Sequence, residues 1–406
     1  MTNPANPPPC SIQGVDPNLQ LGYVSTWNLA IQHAFTSGIS ATLAYVGARG
    51  THLSGVTDIN QPIPGAANTG KAPGSGNELV RRPYYNQFPY LGQILYFSGN
   101  TGSSYNALQA SLTKRLSKGL SFTAGYSYSH SITQTDQERG FAIMDSTNTA
   151  LDRGNSIQDP FTHLTFSVTY NIPGKKSPGQ LLEGWQVNSV VDLSGGVPYN
   201  ARDSSSDISG TGEAHDRWTL VGNPKDFKVG GLNTVPCFGV TGSRFGKTSN
   251  CTQEAVPAGA IPGTVAYVSN MPAACQTAAA GEPTGPGGTT GAQSLGSLGC
   301  YMQGSSVIVP PAQGTFGSMG RGVLRAAPIR EWDLSVSKGW TFKERLTAQF
   351  RAEFFNILNH TILGNPSSNP NSPSSFGQST STVNSGNPIV GNGAPRQVQL
   401  GLKLIF

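Results

Sequence analysis

The stretch LSFTAGYSYSHS, residues 120–131, alternates large and small side chains without a break. In a strand, successive side chains point to opposite faces, so one face carries the large set: Leu120, Phe122, Ala124, Tyr126 and Tyr128. The other face carries Ser, Thr and Gly, whereas a helix would scatter the aromatic rings around its circumference. The pattern predicts a strand with one oily and one small, polar face. Such a strand suits a membrane-spanning β-barrel, whose outer wall meets lipid and whose lumen meets water.

The same two-residue period recurs along the chain and predicts about nine strands of roughly the 9–11 residues that cross a bilayer at a tilt. A soluble β-sandwich would also alternate, so the connections decide between the two. Short connections near residues 37, 118, 175 and 343 alternate with long ones at 48–103, 133–160, 196–329 and 358–394. Outer-membrane barrels have short periplasmic turns and long extracellular loops, so this asymmetry favours the barrel.

Composition supports this class and excludes others. Only 12% of the 406 residues are charged, against about 25% in typical soluble domains. No apolar run approaches the ~20 residues of a spanning helix. The net charge of +5 invites a nucleic-acid interpretation, but the basic residues are scattered and form no cluster interleaved with aromatic residues. We therefore expect no nucleic-acid partner.

Four of the five cysteines, Cys237, Cys251, Cys275 and Cys300, fall in the long connection 196–329. Their spacing does not match a zinc finger or ribbon. An even number in one exposed loop of an exported protein predicts two disulfides, with three possible connectivities. The pairing Cys237–Cys251 and Cys275–Cys300 is favoured because it closes the shortest loops. We expect these bonds to staple a loop rich in Gly, Pro and Ala that has little core.

No catalytic or metal-binding pattern stands out. Residues 203–210, DSSSDISG, are rich in oxygen ligands but lack the spacing and the bidentate Glu of a calcium loop. The histidines show no helical ligand spacing, and no Ser lies in a nucleophile elbow. The sequence thus predicts neither an enzyme nor a cofactor.

Charged and aromatic residues within the strands follow the two faces. Gln349, Arg351 and Glu353 fall on the lumen face, where they are candidates for lining the wall. Lys338 falls on the lipid face, next to Trp340 and the short turn at Lys343–Glu344, so its ammonium can reach the interface. The tryptophans near strand ends suit an aromatic girdle.

Several strings resemble the barrel of TonB-dependent outer-membrane transporters, most closely the Oar-like branch. They are TWNL at 26–29, YVGARGTHL at 45–53, SYNALQ at 104–109, AEFFNILNH at 352–360 and QLGLKLIF at 399–406. The resemblance covers the chain from about residue 20 to its end, with the strings in the expected order. It implies a location in the outer membrane, in contact with its lipid.

The resemblance also implies a 22-stranded barrel with an N-terminal plug and a TonB box. The chain would supply the C-terminal part of that barrel: residues 21–406, after a disordered or loop lead-in at 1–20. The first ten residues show no signal peptide, so signal, plug, TonB box and remaining strands are expected upstream, and TonB would be reached only through them. The closing residues, Leu402, Leu404 and Phe406, look like the strand read by the barrel-assembly machinery.

The function expected from this resemblance is uptake of an unknown substrate across the outer membrane. Two alternatives from other classes stay open at this point. The first is a surface adhesin or envelope-structural barrel without transport, or a truncated, non-transporting fragment. The second is a soluble β-sandwich binding module, for which recovery without detergent would be diagnostic.

Overall fold

The computed structural model describes residues 9–65, 77–135, 143–213, 215–342, 346–383, 385, 393 and 395–406. The turn predicted at Lys343–Glu344 lies outside these residues. Within the described ranges, no helix is both long enough and apolar enough to cross a membrane.

The chain forms eighteen strands and three short α-helices in the described residues. The strands are β1 (Cys10–Val15), β2 (Tyr23–Thr36), β3 (Ile39–Asp58), β4 (Leu91–Ser117), β5 (Leu120–Thr133), β6 (Gly154–Asn155), β7 (Thr162–Asn171), β8 (Trp185–Ser194), β9 (Pro198–Tyr199), β10 (Thr219–Val221), β11 (Cys237–Val240), β12 (Cys251–Glu254), β13 (Cys300–Gln303), β14 (Ser306–Val309), β15 (Leu324–Arg325), β16 (Ile329–Phe342), β17 (Leu346–Phe355) and β18 (Gln397–Ile405). The helices are α1 (Asn77–Val80), α2 (Ala273–Ala280) and α3 (Gly291–Leu298).

Nine strands form one continuous antiparallel wall in the order β2-β3-β4-β5-β7-β8-β16-β17-β18. Each wall strand pairs with the next wall strand along the chain, as in an up-and-down barrel. The all-β fold predicted from the alternating sequence is confirmed, and each of the predicted strands has its counterpart in the wall.

The oily face of this wall is uncovered. Leu29 is 69% exposed and Leu402 is 70% exposed, at opposite edges of the sheet, and Tyr128 near its middle is 56% exposed. In a β-sandwich these side chains would pack against a second sheet, so the described residues do not form one. A face of this kind must be covered by something other than this chain, and lipid suits it.

Two strands continue beyond the wall, which corrects the predicted connection 48–103. Beyond Arg49 and Ser104, β3 and β4 stay paired up to Asp58 and Leu95, so the connection between them shrinks to residues 59–90. The pairing register shifts between Gly50 and Leu53 and again before Gly55. Such bulges break the two-residue period on which the prediction depended.

The lead-in 1–20 is likewise not all loop. Strand β1 pairs in parallel with the first part of β4, from Cys10 opposite Leu91 to Val15 opposite Phe97. The physical reason is a free edge: β5 pairs with β4 only from Ser103 onward, so the extension of β4 has unpaired backbone groups that β1 satisfies.

The connection between β8 and β16, residues 195–328, folds into a packed unit that we call the insert. It contains a five-stranded sheet, β10-β14-β13-β11-β12, together with α2 and α3. Trp218, Phe245 and Tyr301 are fully buried in its core, joined by Phe376 from the connection before β18. The expectation of a loop with little core was therefore wrong. Its core residues come from short segments separated by turns rich in Gly and Pro, so they form no long periodic pattern.

Candidate functional site: the inner wall and the insert

The inner face of the wall is a hydrogen-bonded polar surface. Glu353 lies opposite Ser335, Ser335 opposite Asn188, and Asn188 opposite Thr169. The Thr169 hydroxyl donates to Asn188 Oδ1 at 2.8 Å, and Asn188 Nδ2 donates to Ser335 Oγ at 3.4 Å. This row crosses four strands and includes Glu353 from the lumen-lining candidates. It gives the inner wall donors and acceptors that suit a hydrated lumen.

Of the other two lumen-lining candidates, Arg351 lies close to Glu353, and Gln349 lies further along β17 on the same face. Arg351 Nη1 is 3.7 Å from Glu353 Oε1, and the Arg351 side chain is 49% exposed. An ion pair so exposed contributes at most about 1 kcal/mol, so both groups are free to contact a solute. Gln349 lies opposite Gly339 and Lys403.

A pair that the sequence did not reveal lies at the mouth of the inner wall. His163 Nε2 is 3.0 Å from Asp192 Oδ1. His163 borders two cavities, of about 310 Å³ and about 340 Å³, and Asp192 lines the second. The register of β7 against β8 brings the two residues together although they are 29 positions apart. The sequence indicates only that both residues lie on the polar face of their strands, because side chains alternate between the two faces.

Lys338 reaches toward the short-turn end of the wall and is buried there. Its side chain is 1% exposed and donates to the carbonyl oxygens of Glu183 and Gly339. Its ammonium lies 4.9 Å from the ring of Trp340 and 5.9 Å from that of Trp185. Carbonyl groups and ring faces surround the charge at the short-connection end of the wall, the end at which the sequence places the membrane interface.

The four cysteines of the insert are joined as Cys237–Cys251 and Cys275–Cys300. The first bond links the parallel strands β11 and β12, with Cα atoms 4.6 Å apart. The second links α2 to β13 across 6.3 Å between Cα atoms. These are the pairs that close the shortest loops, and each lies in one of two buried hydrophobic clusters.

Buried ion pairs hold the long connections of the wall together. Arg82 Nη1 lies 3.0 Å from Asp58 Oδ2 and ties the β3–β4 connection to the end of β3. Arg217 Nη1 lies 2.5 Å from Asp152 Oδ1 and ties the insert to the β5–β7 connection. Arg217 also donates to the carbonyl oxygen of Met319 at 2.8 Å. Because all four charged side chains are nearly fully buried, removal of one partner would leave the other unpaired.

The pKa values of two carboxyl groups in the insert are strongly raised. Burial raises the pKa of the Asp216 carboxyl to about 7, although it accepts a hydrogen bond from the Ser209 amide at 2.8 Å. Burial, together with a hydrogen bond to Glu78, raises the pKa of Asp207 to about 8. Glu78 belongs to α1, so this second contact joins the β3–β4 connection to the insert. The contact between Asp207 and Glu78, which joins the two connections, therefore depends on pH.

Among the described residues, no group of three or more His, Cys, Asp or Glu side chains is placed to hold a metal ion. The oxygen-rich segment 203–210 is part of the insert core. Asp203 is fully buried and accepts hydrogen bonds from the Trp218 indole at 3.2 Å and from the Ser205 amide at 3.0 Å. The Asp203 carboxylate therefore caps the turn and anchors the indole in the structure.

A wall with one oily and one polar face, short connections at one end and packed connections at the other, defines a membrane-spanning β-barrel protein. The chain belongs to the outer membrane beta barrel domain family, whose profile matches residues 1–399. It is accordingly a protein of the outer membrane.

Similar solved structures are outer-membrane transporters and receptors. One is the outer membrane transporter YddB from Escherichia coli, with a TM-score of 0.42 and 9% identity, covering 96% of this chain and 33% of the other. Another is the ferripyoverdine receptor of Pseudomonas aeruginosa, with a TM-score of 0.38 and 10% identity, covering 95% and 27%. The chain thus spans between about a quarter and a third of the length of these proteins. No curated protein matches the sequence.

Proposed function

We propose that this chain supplies barrel wall and extracellular connections to a TonB-dependent transporter of the Oar-like type, which takes up a substrate across the outer membrane. The observation that carries the proposal is the continuous polar inner face, topped by an insert with its own core and two disulfides. A lumen needs the first feature, and selective capture from outside needs the second.

The two edges of the wall support a larger barrel. β2 and β18 end the sheet and have no partner strand on their outer sides among the described residues. Unpaired backbone groups cost several kcal/mol each in hydrocarbon. We infer that further strands pair with these edges to close the barrel. The exposed Leu402, Leu404 and Phe406 on the last strand and its end would then guide assembly by strand pairing.

In the proposed cycle the substrate first contacts the insert and then the inner wall. Arg351, Glu353 and Gln349 lie along the wall, and the His163–Asp192 pair lies at its mouth. These groups include hydrogen-bond donors, hydrogen-bond acceptors and side chains of both charges. They suit a series of weak contacts better than one tight binding site. TonB would act through the plug, which would release the substrate into the periplasm when it is pulled.

Solute depletion tests the proposal. Cells with and without the protein are incubated in spent medium, each with an active or an inactivated TonB system, and the medium is profiled by mass spectrometry. We expect at least one solute whose depletion requires both the protein and TonB. Transport would be overturned in favour of an adhesin if the protein depleted no solute with either TonB system and instead changed the attachment of cells to surfaces.

A further inference from the structure

The outer face of β3 changes character along its length. Leu43 and Tyr45 share this face and are 49% and 44% exposed, as lipid-facing groups are. Gly47 follows, and the ring of Trp27 lies over it: a Cβ at Gly47 would be 2.2 Å from Trp27 Nε1. The next residue on the face is Arg49, which is exposed. An oily band, then an aromatic ring, then an arginine is the order expected from hydrocarbon to headgroups.

The height of Arg49 agrees with this order. Arg49 is ten residues from Ile39, where β3 leaves the short turn. At about 3.4 Å per residue and a tilt of about 40°, that distance is roughly 26 Å along the membrane normal. The apolar band of outer-membrane barrels is about 25 Å tall. Arg49 therefore lies where the band ends on the side of the long connections, which is the outer leaflet.

A cavity of about 500 Å³ opens at this level. Its lining is polar and includes Arg49, Thr51, Ser104, Gln134 and Arg153. Among the described residues that line it, none is Asp or Glu.

Arg153 reaches the cavity from the β5–β7 connection and lies on the same side of the sheet. Two residues further along extended backbone, Asn155 of β6 accepts a hydrogen bond at its Oδ1 from His130 Nε2 at 2.9 Å. His130 follows Tyr128 on the oily face of β5 and is exposed like it. The cavity thus lies on the lipid side of the wall rather than in the lumen.

Neither arginine side chain has a hydrogen-bond or ion-pair partner among the described residues, in contrast to Arg82 and Arg217. Two unpaired guanidinium groups beside hydroxyl and amide donors form a site for an oxyanion, and phosphate matches the planar fork of arginine. We propose that this cavity binds the phosphate of a lipid headgroup in the outer leaflet, held between Arg49 and Arg153.

The proposal concerns the lipid side of the wall and does not depend on transport. A soluble anion on its way to the lumen has no reason to bind on the lipid side of the wall. A headgroup that projects from hydrocarbon at the height of Trp27 meets both arginines without leaving its leaflet.

Lipid binding to the purified chain in detergent micelles tests this site. The probes are bisphosphorylated lipid A, its dephosphorylated form and inorganic phosphate, with affinity followed by thermophoresis. We expect bisphosphorylated lipid A to bind at least tenfold more tightly than the dephosphorylated form, a preference that Arg49→Gln/Arg153→Gln abolishes. Lys175→Gln/Lys176→Gln removes two exposed cations from the short-connection end and should leave the preference intact.

Three results would overturn the proposal: equal binding of both forms of lipid A, an equal loss in the lysine control, or binding of inorganic phosphate as tight as that of lipid A. The last result would indicate a site for soluble anions. If the double arginine variant does not fold, Arg153→Gln alone decides, because Arg153 is exposed on a connection outside the wall. About a tenfold loss in that variant supports the site, and an unchanged preference contradicts it.

Discussion

Replacing one lipid-facing residue with arginine should cost far more than replacing its neighbour on the lumen face. Leu43 is four residues from the start of β3, which places it roughly 10 Å above the short turn at about 3.4 Å per residue and a tilt of about 40°. That height is close to the middle of an apolar band about 25 Å tall. Thr42 points to the other side and lines the inner cavity of about 310 Å³.

The expected magnitude follows from these positions. An arginine at the midplane of a barrel destabilises it by about 2–4 kcal/mol. An arginine at Thr42 enters a cavity on the inner face that is also lined by Gln109 and His163, so we expect a change within about 1 kcal/mol. The difference of about 3 kcal/mol corresponds to a change of about two orders of magnitude in the folding equilibrium.

The assay is denaturant titration of Leu43→Arg and Thr42→Arg in lipid vesicles, with the folded fraction read from heat-modifiable migration on gels. Thr42→Arg serves as the matched control, because it adds the same side chain one residue away. Equal losses in both variants, or a larger loss for Thr42→Arg, would refute the assignment of the two faces.

Three further predictions concern the insert. Cys275→Ser/Cys300→Ser opens a loop with a sequence separation of 25 and should lower the free energy of unfolding of the insert by about 3 kcal/mol, measured by pulse proteolysis. Because folding raises the pKa of Asp216 from 3.8 to about 7, the insert should lose stability as the pH rises from about 4 to about 7, and Asp216→Asn should flatten this profile in hydrogen exchange. Arg217→Met leaves Asp152 buried without its cation and should destabilise contacts of the insert by about 3–5 kcal/mol, seen as faster proteolysis. Unchanged proteolysis of the cysteine variant would contradict the first prediction. Stability of the insert that rises between about pH 4 and about pH 7 would contradict the second. An insert that resists proteolysis in Arg217→Met as well as in the wild type would contradict the third.

The wall was predictable because each strand lies between two different solvents. Lipid outside and water inside force a period of two on every crossing strand, so the faces of residues 120–131 and of β18 could be read directly. The same parity placed Gln349, Arg351 and Glu353 on one face. It fails where bulges after Gly50 change the register, so parity alone does not reveal the extensions of β3 and β4.

The insert and its contacts could not be predicted, because they depend on long-range packing. Trp218 and Phe245 stack with ring centroids 6.1 Å apart, but neither lies in a periodic stretch. Arg217 and Asp152 are 65 positions apart, and His163 and Asp192 are 29 apart. Only the folded register brings such pairs together, so the candidate site at the mouth of the wall was visible in the sequence only as polar parity.

Spin labels along β3 test the membrane-spanning wall most directly. Single cysteines at residues 40–45, in a Cys10→Ser background that removes the one free cysteine of the described chain, are labelled in vesicles, and their relaxation by oxygen and by a water-soluble nickel complex is compared. We predict that labels at 41, 43 and 45 are accessible to oxygen and those at 40, 42 and 44 to the nickel complex. Equal accessibility along the whole segment, or labels at 41, 43 and 45 shielded from both reagents, would contradict a lipid-facing wall.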